Sequence, residues 1–74
     1  MLDIQRNQIL QHLKAGKSIT AKEADILYGC MRLGARIYEL RELGHDIRGE
    51  TESGVNRMGH PTHYKRYWLA VRDE

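Results

Sequence analysis

Little in this sequence invites covalent, redox or metal chemistry. Cys30 is the only cysteine, which excludes an internal disulfide and agrees with a reducing compartment. Beside Gly29 it is read as a small half-buried turn residue. No apolar run exceeds a few residues, so no segment is expected to span a membrane. The opening MLDIQRNQIL lacks a charged start followed by an apolar block, so no signal peptide is expected and a cytoplasmic location is the reading. There is one proline, Pro61, and no repeat, low-complexity tract or Pro/Ser-rich linker, so the 74 residues are expected to form one domain. No Ser/His/Asp set and no paired carboxylates stand out, and so short a chain has little room for a substrate cavity. No enzyme activity, cofactor or small-molecule substrate is expected. His60 and His63 are three apart, but Cys30 is distant and no carboxylate pair frames them, so no metal site is expected.

What is present is an ordinary globular composition, 30% charged and 41% hydrophobic, too apolar for disorder. A chain of this length buries only about 60% of its unfolded surface, so the core must be thin. The net charge of +2 says little, but its distribution says more. Acidic residues are missing from 55–72, where Arg57, Lys65, Arg66 and Arg72 lie with His60 and His63 among them. Such a local patch attracts phosphate.

Ile9, Leu10 and Leu13 recur on one face of a helix expected over Ile4 to Ala15, capped near Asp3 and stopped by Gly16. Ser18-Ile19 could form a very short extended pair. Thr20 and Glu23 match the capping box, in which hydroxyl and carboxylate satisfy each other's orphan amides. They open a second helix to Tyr28, with Ala24 and Leu27 as its apolar face and Gly29 as its cap. A third helix, Met31 to Leu43, is expected to bury Leu33, Ile37, Leu40 and Leu43, with Gly44 as the stop. Two helices joined by a short glycine turn make a helix-turn-helix, here about 20–44. The periodicity then changes. HDIRGETES reads as a strand, SGVNRMGHPT as a loop and HYKRYWLAVR as a returning strand, a hairpin over about 46–72. Alternation puts Tyr67, Leu69 and Val71 on one face and Arg66, Trp68 and Ala70 on the other. Trp68 is read as packing residue rather than a base-stacking one. Three helices followed by a two-stranded β-hairpin wing define an α+β winged helix-turn-helix.

The stretch TAKEADILYGCMRLGARIYELRELGHDI and the terminal YWLA resemble a family of small helix-turn-helix proteins found mainly in bacteriophages and prophages. The matching features are the threonine cap before an alanine-containing helix and the glycine turn. They continue with Arg32-Leu33 before a small residue, the L-R-x-x-G-x-x-I exit and the aromatic-x-Leu strand. The resemblance runs from about Ile9 to Ala70 and implies a double-stranded DNA-binding protein, a phage or prophage transcriptional regulator.

In that arrangement the second helix of the motif enters the major groove. With Leu33, Ile37 and Leu40 inward, the outward positions are read as Arg32, Ala35, Arg36 and Glu39. An arginine fork fits guanine O6 and N7, and a glutamate can accept from cytosine or orient Arg36. A backbone phosphate is expected near Thr20 and Lys22, at a helix N-terminus. Asn56, Arg57 and His60 at the wing tip are candidates for backbone or minor-groove contact, and Lys65 and Arg66 for the flanking backbone. Gly34 stands inside the third helix at a cost of roughly 1 kcal/mol relative to alanine. A crowded crossing with the preceding helix is the favoured reason, close approach to the groove the other.

One such helix covers few base pairs, so useful specificity calls for a homodimer or several copies. The competing function is a protein-interaction module that binds a host or phage protein, since fold does not fix function. A contiguous apolar patch of Met58, Tyr64 and Trp68 would favour it. A continuous positive surface joining Arg32, Arg36 and Arg57 would favour DNA. A DNA-bending excision or recombination accessory factor shares the same binding chemistry.

Overall fold

The computed structural model describes residues 2–70, with side chains from residue 4. The first helix already begins at Leu2, so Asp3 falls inside it instead of capping it, and Val71 and Arg72 lie outside the described residues. The order is α1 (Leu2–Lys14), β1 (Ile19–Thr20), α2 (Ala21–Tyr28), α3 (Leu33–Glu42), β2 (Ile47–Val55) and β3 (Pro61–Leu69). Three helices and a small antiparallel sheet form an α+β fold. No helix among the described residues is long and apolar enough to cross a membrane.

Each helix contributes a narrow stripe to one core. Ile9, Leu10 and Leu13 come from α1, Ala24 from α2 and Leu33, Ile37 and Leu40 from α3, joined by Ile19 and Ile47 from the sheet. Cys30 completes it from the turn and is fully buried rather than half-buried. Two expected core residues lie elsewhere. Leu27 is 56% exposed, because α2 packs along the line from Ala24 to Tyr28 and leaves position 27 on its flank. Leu43 is 63% exposed, because α3 ends at Glu42 and Leu43 is its C-cap.

The capping box forms as expected. The Thr20 hydroxyl accepts from Glu23 N at 3.2 Å, and Thr20 N donates to Glu23 Oε1 at 3.0 Å. Thr20→Ala is expected to lower stability by about 1 kcal/mol through the orphaned amide, seen as a Tm drop of about 4–8 °C in a domain this size. At the other end of α2, Gly29 is left-handed (φ 65°). Gly29 N then reaches Asp25 O at 2.9 Å and Cys30 N reaches Ala24 O at 3.1 Å. These bonds end the helix and turn the chain toward α3 within four residues.

The sheet has three strands rather than two, in the order β1-β3-β2. β1 pairs through Ile19 with Tyr67 and Thr20 with Arg66, one residue later than the extended pair expected at Ser18-Ile19. β2 and β3 pair without interruption from Ile47↔Leu69 to Val55↔Pro61. The loop is therefore 56–60, half the expected length, because Asn56 closes it. Asn56 N donates to His60 O at 2.9 Å, and Asn56 Oδ1 accepts from Met58 N and His60 N at 2.9 and 3.0 Å. Nine residues per strand make a hairpin about 30 Å long, much of the 42 Å longest dimension.

Tyr67 and Leu69 pack against the core from one face of β3, as alternation requires. Opposite Tyr67 sits Gly49, where a Cβ would come within 2.8 Å of the tyrosine ring. The guanidinium of Arg41 lies 5.8 Å from that ring's centre, and Arg41 Nε donates to Ile47 O at 2.9 Å. The C-terminal half of α3 is thereby fixed to the base of the hairpin.

Candidate nucleic-acid interface

The stripe that buries α3 begins at Leu33 and runs i, i+3, i+4, i+7, the usual width of a core-facing helix. Position 36 belongs to that stripe. Arg36 is accordingly buried, at 7% exposure, between Leu33, Ile37 and Leu40. Its Nη2 donates to Glu39 Oε2 at 3.1 Å, and Glu39 Oε1 lies 3.8 Å from Arg6 Nη1 of α1. The outward orientation read for Arg36 and Glu39 is therefore corrected: Arg36 lies in the buried stripe, and Glu39 reaches Arg6 of α1. A long aliphatic stem lets an arginine lie in an apolar stripe while its head reaches a carboxylate at the rim, and this is what a count of inward leucines and isoleucines alone overlooks.

The exposed side of α3 carries a different set. Gly34, Ala35 and Tyr38 face outward, Tyr38 at 64% exposure, with Met31 and Arg32 exposed just before the helix. Arg32 is not on the helix but is its N-cap (φ −125°, ψ 62°), and its side chain makes no capping bond. Tyr38 escaped the sequence reading, although a position five residues after Leu33 lies opposite the stripe and was legible by the same geometry. A Cβ added at Gly34 would meet no atom within 4 Å. The crowded-crossing explanation for this glycine fails.

At the start of α2 the two expected phosphate residues separate. Thr20 is buried at 5% exposure and its hydroxyl is used by the capping box, whereas Lys22 is exposed. On the wing, Arg57, His60 and Lys65 are exposed. Asn56 is exposed as well, but its side-chain oxygen already holds the loop. Its role is to present Arg57 and His60. Arg66 is committed too. Nε donates to both Glu52 oxygens at 3.0 and 3.1 Å, and Nη1 donates to Ser18 Oγ at 3.0 Å and lies 3.5 Å from Glu23 Oε1. The hydrogen bond to Glu52 raises its already high pKa, with desolvation opposing. Arg66 thus ties the hairpin to the start of α2 and covers Glu52, one of the acidic residues on the outgoing strand.

Neither patch anticipated from the sequence forms as drawn. Arg36 is buried and does not link Arg32 to Arg57. Met58 sits at the wing tip, and the Arg66–Glu52 ion pair lies between Tyr64 and Trp68 on their shared face. Trp68 is half-buried. Among the described residues no group of three or more His, Cys, Asp or Glu is placed to hold a metal ion.

A helix pair joined by a four-residue turn and followed by a long hairpin, with a short strand before the pair as the sheet's third member, is the architecture found here. The family model for the winged helix-turn-helix domain matches residues 4–72. No curated protein and no solved structure matches the chain. A winged helix-turn-helix domain points to DNA as partner, and such domains are typically binding modules rather than enzymes. The match spans nearly all of the chain and every element described above, and the chain belongs to the winged helix-turn-helix family.

Proposed function

We propose that this protein reads double-stranded DNA with the N-terminal end of α3 in the major groove, and that it serves as a phage or prophage transcriptional regulator in the bacterial cytoplasm. The observation that carries the reading is the bare, uncovered end of α3. A Cβ at Gly34 would meet no atom within 4 Å, Ala35 is exposed, and Arg32 is the exposed N-cap residue. Short side chains there let the backbone approach base edges, and Arg32 can donate to guanine. Lys22 at the start of α2 and Arg57, His60 and Lys65 on the wing supply backbone contacts. One short recognition helix favours action as a dimer or in several copies.

Selection from random duplex DNA, repeated at two salt concentrations, tests the proposal. A recovered consensus whose binding weakens steeply with salt is expected. Arg32→Ala is expected to lower affinity for that consensus by about 1–3 kcal/mol and relax the preference at one base pair. Arg57→Ala is expected to weaken all duplexes alike and to reduce the salt slope by about one unit. A flat salt dependence and no consensus would remove the proposal.

A second reading rests on different residues. Ile26 and Leu27 on α2 are 70% and 56% exposed, and Met31 in the turn is 84% exposed. Apolar side chains in this number at one end of the helix pair favour a protein contact, so a host or phage protein, or a second copy of the chain, is the alternative partner.

A further inference from the structure

We infer that the exposed end of α3 selects for a thymine by contact between the Ala35 methyl and the thymine 5-methyl group, beside a guanine held by Arg32. This rests on the DNA reading above and adds the base chemistry that it leaves open. In the major groove, cytosine presents a donor and adenine a donor with an acceptor. Guanine presents two acceptors, and thymine an acceptor with a methyl group. Reading the donors of cytosine or adenine from this end needs a side-chain acceptor. The carboxylate nearest in sequence on α3, Glu39, is turned toward Arg6 and Arg36. What remains exposed from 31 to 38 is one cation, Arg32, with Met31, Gly34, Ala35 and Tyr38. That surface holds no carboxylate and no amide side chain, and its one side-chain acceptor, the Tyr38 hydroxyl, stands a turn farther along, so the end beside Arg32 suits acceptors and methyl groups.

Position within the helix narrows the contact to Ala35. An alanine methyl touches a base only where the backbone comes close to the groove floor, and Gly34 beside it has open space on its outer side. Tyr38 lies one turn farther along the same face at 64% exposure. Its ring can flank the thymine, and its hydroxyl can reach the groove wall. Both the bare glycine and the withdrawn glutamate favour a small apolar contact over a bidentate polar one.

The experiment replaces each thymine of the selected duplex, one at a time, by uracil, which lacks only the 5-methyl group. Wild type, Ala35→Gly and Arg57→Ala are compared, with thermal melting of each variant. For wild type, uracil at one or two positions is expected to weaken binding three- to tenfold, the scale of one buried methyl group. Ala35→Gly is expected to bind thymine and uracil duplexes within about twofold of each other. Arg57→Ala is expected to bind both more weakly while keeping the wild-type ratio. Uracil tolerated at every position by wild type, or the same penalty persisting in Ala35→Gly, overturns the inference while leaving DNA binding intact. Failure of the unmodified duplex to bind overturns both. Where Ala35→Gly proves too unstable to assay, Ala35→Ser replaces it under the same criterion.

Discussion

Gly34→Leu is expected to leave the fold as stable as wild type or more so, and to reduce binding to the selected duplex at least tenfold. The two effects have separate causes. In the free protein a Cβ added at 34 meets no atom within 4 Å, the position is exposed, and the backbone there has no positive φ that would strain a leucine. Leucine is a far better helix former than glycine, by up to about 0.8–1 kcal/mol in a helix interior. The gain is smaller at the second position of a helix, but its sign is the same. Melting curves should therefore show an unchanged or raised Tm. At the interface the same side chain stands between the α3 backbone and the bases and holds the helix out of the groove. Gly34→Ala, which adds a single carbon, is expected to show the stability gain with a much smaller loss of binding. Unchanged affinity in Gly34→Leu would mean that this end of α3 does not face DNA, whatever else the protein binds.

Ile37→Ala is expected to unfold a large part of the population at 37 °C. Ile37 is 1% exposed and lies at the centre of the α3 stripe, with core residues of α1 and the sheet around it. Truncating a buried isoleucine costs about 2–5 kcal/mol, the cavity included. At the usual 0.05–0.15 kcal/mol per residue, 74 residues have a total stability of roughly 4–11 kcal/mol. A loss of this size consumes much of that margin, and so thin a core has few neighbours able to collapse into the gap. Urea titration should show a strongly reduced midpoint with an unchanged slope. DNA binding should fall in step with the folded fraction and recover at low temperature. An unfolding free energy within about 0.5 kcal/mol of wild type would show that α3 is held mainly by Arg41 and the turn.

The local elements were legible because their signals are local. Thr20 with Glu23 specified the start of α2, Gly29 its end, and the change of period after Gly44 the hairpin, each through bonds among residues a few positions apart. The third strand was less visible, since two residues of β1 become a strand only when Tyr67 and Arg66 arrive beside them. The shortened wing loop depended on Asn56, whose oxygen collects two amides from its own loop. An asparagine in a basic loop reads equally as a contact residue, and only the folded turn shows which use its side chain serves.

The candidate site divides along the same line. Sequence alone determined that a helix-turn-helix with a basic hairpin is present, because periodicity, caps and the acid-free run from 55 to 72 do not depend on distant partners. Tertiary structure decided which charges are available. Arg36 and Arg66 read as ordinary basic residues, yet one is drawn into the α1–α3 contact by Glu39 and the other is clamped by Glu52 and Ser18. Arg32, Lys22, Arg57 and Lys65 remain exposed. Tertiary structure also decided that the bare backbone of Gly34 faces open space and not α2. A helix period fixes the angle between side chains but not the direction of the core. That direction is set by which stripe α1 and the sheet cover, through contacts between residues far apart in the chain.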